Sequence, residues 1–174
     1  MADLNGKRIA IIATNRFEDS ELTSPKEAVE AAGATTHVIS TEPGEIEGKN
    51  GTKVTVDVTS ADAKADDYDA LILPGGTSNA DTIRTDANAV ELVKKLREAG
   101  KPVGVICHGG WILTDADGIK GVKLTSFKSL QTDLRNAGAT WVDEEVVVDS
   151  GFVSSRTPKD LPAFNNAIVK EFAG

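Results

Sequence analysis

The chain has 174 residues, 40% of them hydrophobic and 26% charged, the size and composition of one globular domain (residues 1–174) with a core of its own. A formal net charge of −8 argues against nucleic acid or an anionic membrane as main partner, because phosphate binding draws on clustered Lys and Arg. A single cysteine excludes an internal disulfide and Cys-x-x-Cys redox chemistry, and with two histidines it argues against a structural zinc site. Residues 9–13 are too short for a signal h-region and no later run approaches a membrane span, so a cytoplasmic protein is expected.

Residues 7–13 read as a buried strand, followed by a polar loop over 14–20. A helix then runs to about Ala32, with Asp19 or Ser20 as cap and Gly33 as stop. Pro25 lies inside it and predicts an early end or a kink. Residues 35–40 form a second strand, where His37 reads as structural. From 41 to 59, turn signals (Pro43-Gly44, Lys49-Asn50-Gly51) separate short alternating runs and predict a small hairpin or arm. Residues 69–73 are a third core strand, stopped by Pro74-Gly75-Gly76. A helix over 86–99 ends at Gly100. The β-branched run Val103–Ile106 breaks off at Cys107-His108-Gly109-Gly110, and apolar spacing turns helical from Trp111. A helix over 129–137, a hairpin pairing 144–149 with 152–155 and an amphipathic helix over 161–172 close the chain.

Strands alternating with helices imply a parallel sheet covered on both faces, with ligands outside the carboxyl ends of its strands. Three loops leave core strands at that edge, 14–20, 74–81 and 107–111, which places Glu18, Gly75, Gly76 and Cys107 around one crevice. A cysteine on a strand-to-helix turn is presented as a nucleophile, and the helix N–H groups are expected to lower its pKa. His108 is the available proton partner. Asp81 could orient it, or could cap a helix instead. If Glu18 meets Cys107, the acid is expected to stay protonated and donate to the sulfur. Backbone N–H groups of Gly76 and His108 are natural oxyanion donors. Class I glutamine amidotransferases use a similar turn but need a later His-x-Glu, and no histidine follows His108.

Phe17-Glu18-Asp19-Ser20-Glu21-Leu22, Leu71-Ile72-Leu73-Pro74-Gly75-Gly76, Gly100-Lys101-Pro102-Val103 with Ile106-Cys107-His108-Gly109, and residues 133–149 with Ser155-Arg156 and 160–164 together resemble the DJ-1/PfpI superfamily, in its PfpI-like branch of intracellular proteases and general stress proteins. The resemblance spans nearly the whole chain. It implies a flavodoxin-like three-layer α/β sandwich with a small β-arm, and a nucleophile at Cys107 beside His108. It also implies that Glu18 hydrogen-bonds the cysteine, that a neighbouring subunit supplies Asp81, and that Gly75, Gly76, His108 and Gly109 surround the substrate. The implied activity is that of a metal-free, cofactor-free glyoxalase, deglycase or PfpI-like peptidase of the stress response, acting on small aldehydes, glycated adducts or peptides. The alternative is a redox sensor or chaperone whose Cys107 is oxidised. Homodimers, some assembling into hexamers, are implied. Gly110 replaces the usual proline, which is expected to loosen the helix start, and Asp81 replaces the usual Glu.

Overall fold

The computed structural model describes residues 2–174. The chain runs β1 (Arg8–Ile12), α1 (Asp19–Ala31), β2 (Thr35–Ser40), β3 (Gly44–Glu47), β4 (Lys53–Val56), β5 (Val58–Thr59), β6 (Ala70–Leu73), α2 (Thr77–Ile83) and α3 (Ala87–Glu98). It continues through β7 (Val103–Ile106), α4 (Trp111–Ala116), β8 (Lys123–Leu124), α5 (Gln131–Asn136), β9 (Thr140–Trp141), β10 (Val147–Asp149), β11 (Phe152–Ser155) and α6 (Leu161–Phe172). Seven strands form one sheet in the order β10-β11-β7-β6-β1-β2-β5, parallel throughout except for the antiparallel edge strand β10.

The central strands are buried on both faces, which is why they read as unbroken apolar runs. Alternate residues of β1 serve different layers. Ala10 and Ile12 pack with Leu92, Leu96, Ile112 and Leu134 beneath α3, α4 and α5. Ile9 and Ile11 pack with Leu22, Val29, Phe164 and Ile168 of α1 and α6. This is the three-layer α/β sandwich expected from the sequence.

Some local expectations change. Helix α1 runs unbroken through Pro25, which is buried against the core. The backbone bond that proline cannot make is the one to the carbonyl of Glu21, four residues earlier. Residues 77–83 form helix α2 rather than a loop, so Asp81 is helical, and the side-chain cap is that of α3, where Asp86 accepts from the Ala89 N–H at 3.0 Å. The predicted arm is the antiparallel hairpin β3–β4. Among the described residues no helix is long and apolar enough to cross a membrane.

Candidate active site

Strands β1, β6 and β7 are neighbours, so the loops at their carboxyl ends converge. Asn79, buried in α2, ties two of them. Its Oδ1 accepts from the Thr14 N–H at 2.7 Å, and its amide donates to the carbonyls of Pro74 and Gly75 at 3.2 and 3.0 Å. Cys107 then projects into a cleft of about 260 Å³, lined also by Glu18, Glu21, Lys49, Gly76, His108 and Phe127. Its φ of +60° lies in the left-handed region, a strained setting for a residue with a Cβ. The strain turns the side chain off the line of β7, and the Phe127 N–H, donating to the Cys107 carbonyl at 3.0 Å, holds the turn.

His108 lies beside the nucleophile, its Nδ1 3.3 Å from Cys107 Sγ. The ring is fixed by stacking on Phe127, centroids 4.7 Å apart, and by an edge contact with Trp111. Burial, and secondarily the charge of Lys49, hold its pKa below the usual histidine value. The imidazole is therefore neutral at pH 7 and able to take the thiol proton. Its Nε2 faces the hydroxyls of Ser129 at 3.3 Å and Thr77 at 3.4 Å. Asp81, assigned from the sequence to this orienting role, is exposed on α2 with no hydrogen bond among the described residues, so within the chain hydroxyls take its place.

The acid that meets the cysteine is Glu21, not Glu18. Helix α1 begins at Asp19, so residue 21 falls on the same buried stripe as Leu22, Pro25 and Val29, and its carboxyl is carried inward beneath Cys107. Glu21 Oε1 accepts from the Gly75 N–H at 3.0 Å, whereas Oε2 is buried with no donor directed at it. One accepting and one unserved oxygen is the arrangement of a protonated acid, free to donate toward sulfur. Burial, reinforced by the charge of Glu18, pushes the Glu21 pKa up to about 8. Glu18 lines the same cleft, but its carboxylate is committed to an ion pair with Lys49, Oε2 to Nζ 2.7 Å.

The thiol pKa is raised rather than lowered, correcting the expectation from the helix N-terminus. Burial and the adjoining Glu21 push it up to about 12, against the opposing His108 N–H donated to the sulfur. The four residues 107–110 form a 3-10 turn and α4 has only six, so little aligned dipole is directed at the sulfur. A thiolate is therefore made by proton transfer to His108 rather than held at rest.

The glycines divide. Gly75 commits its N–H to Glu21, and His108 its N–H to the sulfur. Gly109 abuts the end of β6, where an added Cβ would lie 2.3 Å from the Leu73 carbonyl oxygen, so its role is close packing. Gly76 has φ +95° at the start of α2 and lines the cleft. Gly110 is already helical, at φ −74° and ψ −10°, so the turn runs into α4 without a break where the family's proline would stand. Lys49, Asn79, Thr77 and Ser129 carry no mark in the sequence, because only the tertiary fold brings them to Cys107.

The model of the DJ-1/PfpI family matches residues 7–171. An uncharacterised protein of Staphylococcus haemolyticus is 51% identical over 168 residues, covering 95% of this chain and 97% of that protein, and one from Staphylococcus aureus strain Mu50 is 50% identical over the same length. A two-domain Anabaena variabilis protein with DJ-1/ThiJ/PfpI-like and ferritin-like domains superposes with a TM-score of 0.91 at 34% identity over 94% of this chain, which spans 47% of that longer protein. Drosophila melanogaster DJ-1beta shares the fold, with a TM-score of 0.89 at 24% identity over 97% of this chain and 91% of its own. A family match over all but the ends of the chain, relatives at half identity, and a lone cysteine on the strained turn after β7 lead to one conclusion: this chain belongs to the DJ-1/PfpI family.

Proposed function

We propose that the protein is a cysteine-dependent glyoxalase that converts small 2-oxoaldehydes to 2-hydroxy acids. The observation that carries this reading is Cys107, held at φ +60° with neutral His108 Nδ1 at 3.3 Å and buried Glu21 beneath it, in a cleft of about 260 Å³. A cleft of that size favours small carbonyl compounds over folded peptide chains.

With methylglyoxal, His108 takes the thiol proton as Sγ bonds to the aldehyde carbon. The carbonyl electron pair moves to oxygen and is protonated, giving a hemithioacetal. Protonated Glu21 hydrogen-bonds the sulfur and withholds a second negative charge, while the Gly76 N–H faces the oxygen. A proton leaves the former aldehyde carbon and returns at the neighbouring carbon through an enediol, leaving a thioester. Water hydrolyses the thioester to lactate and restores the thiol. The sum is methylglyoxal plus water to lactate and a proton, with no external oxidant or reductant. Deglycation of early adducts would use the same steps, and across a subunit interface Asp81 could supply a further acid.

A second reading makes oxidation of Cys107 to sulfenic and sulfinic acid the signal. It draws on the same buried acid, which would hydrogen-bond an oxidised sulfur, and on the absence of a second cysteine. Lactate formation by freshly reduced protein, with chelator and without glutathione, separates the two. Turnover that is lost after iodoacetamide or peroxide is the expected result. Stoichiometric peroxide oxidation of a protein that forms no lactate when reduced would overturn the enzyme in favour of the sensor.

A further inference from the structure

We propose that Lys49 is the anion-recognition residue of the Cys107 cleft and selects, among 2-oxoaldehydes, those that carry a carboxylate beyond the dicarbonyl pair. The inference rests on Cys107 being the nucleophile, as above, and adds the substrate class. Among the described residues Lys49 is the one lysine or arginine lining the cleft. It arrives from the turn between β3 and β4, an arm outside the main sheet.

That arm is docked on the loop before α1 by backbone geometry. The Lys49 N–H donates to the Phe17 carbonyl at 3.0 Å, and the Arg16 N–H to the Glu47 carbonyl at 2.7 Å. The Asp19 carboxylate accepts from the N–H groups of Asn50 at 3.0 Å and Thr52 at 3.0 Å. A cation placed with this many restraints is pre-organised, unlike a surface lysine that explores its rotamers.

Its chemistry suits an anion. The Glu18 carboxylate that hydrogen-bonds it raises the Lys49 pKa above the usual lysine value, so the amine stays charged and imine formation is disfavoured. An ammonium has three donors, and the side chain remains half exposed, so the ion pair with Glu18 leaves donors for a ligand. Phe127, Thr157 and Pro158, which also line the cleft, bring no competing cation. A substrate carboxylate would therefore displace or share Lys49 with Glu18, placing the dicarbonyl end toward Cys107.

Alkylation of Cys107, the only cysteine, tests this without requiring turnover. Iodoacetate and iodoacetamide each form an S–C bond with loss of iodide, and they differ in carrying a carboxylate or a neutral amide. Any change in thiolate fraction alters both rates, so their ratio reports recognition of the anion alone. The expected result, by intact mass at physiological salt, is a ratio that falls roughly tenfold in Lys49→Met. It is largely kept in Lys49→Arg, and rises severalfold in Glu18→Gln, where the competing carboxylate is gone. Lys53→Met, on the exposed face of the same arm with the same change in net charge, leaves the ratio within about twofold. If Lys49→Met slows both reagents equally, the lysine acts on the thiol and the proposal is overturned. A shifted ratio in a protein that forms no lactate would keep the anion site and discard the glyoxalase.

Discussion

Cys107→Ala forms no lactate from methylglyoxal, and Glu21→Gln forms it about 10–100-fold more slowly, the range of a lost hydrogen bond to a charged group, while unfolding at a higher temperature than the natural chain above pH 7. The first result follows from removal of the only atom in the cleft able to form the thioester. The second follows from a burial energy that the fold sustains for the sake of the site. Glu21 is fully buried, and its pKa in the folded chain is about 8 against 4.5 for a free side chain. Between those values the folded protein keeps a proton that the unfolded chain releases. Stability therefore declines as pH rises from about 4.5 to about 8, and the full penalty is present above that.

Gln keeps an oxygen for the Gly75 N–H and cannot ionise, so the variant escapes the decline. At pH 8 the gain is roughly 2–4 kcal/mol, its ceiling being about 1.4 kcal/mol for each pH unit that separates the folded and unfolded titrations. That corresponds to roughly 4–16 °C in Tm for a domain of this size. Near pH 5 the two proteins should melt close together. Thermal unfolding at both pH values checks the sign: a difference that does not grow with pH would mean that Glu21 is not the buried titrating acid. The rate profile makes a matching demand. Activity of the natural chain rises as His108 loses its proton, below the usual histidine pKa, and falls as Glu21 ionises near 8. The alkaline limb should be absent from the residual activity of Glu21→Gln.

The contrast between Glu18 and Glu21 marks where sequence reading stops. Strands β1, β6 and β7 announce themselves because burial on both faces demands apolar runs, and their abrupt ends expose the three converging loops. Cys107 stands out because a β-branched run stops at a cysteine followed by two glycines. Which acid reaches it depends on the residue at which α1 begins, an uncertainty of two positions that rotates a side chain by half a turn or more. A clue was present: residue 21 shares the inward stripe of Leu22, Pro25 and Val29, and a carboxylate on such a stripe needs a reason to be there. The place of Asp81 within the chain was hidden for a related reason. Gly75-Gly76-Thr77-Ser78-Asn79 has loop composition, yet it starts a helix that turns Asp81 to solvent. The raised thiol pKa was hidden as well, since burial and a neighbouring carboxyl are tertiary facts that outweigh a short helix.

Two adjacent glycines provide a prediction of opposite signs. Gly109→Ala should destabilise the protein by about 3 kcal/mol, at the upper end of overpacking effects. The added Cβ would sit 2.3 Å from the Leu73 carbonyl oxygen and 2.9 Å from that of Pro74. Those are backbone atoms at the end of a central strand, so neither can rotate away, and the turn carrying Cys107 must lift. Gly110→Ala should stabilise by about 0.5–1 kcal/mol, because its helical backbone accepts a Cβ and the unfolded chain loses freedom. The nearest atoms there, on Leu134 and Val105, lie 3.8 Å away, an ordinary contact. Denaturant unfolding of the pair separates packing from chemistry. If Gly109 were present to offer its N–H to substrate, alanine would keep that donor and the stability, and only KM would move. A stable Gly109→Ala protein would therefore return residue 109 to the substrate-binding role read from the sequence. A lowered midpoint beside a raised one for Gly110→Ala would place its importance in letting the nucleophile turn lie flat against β6.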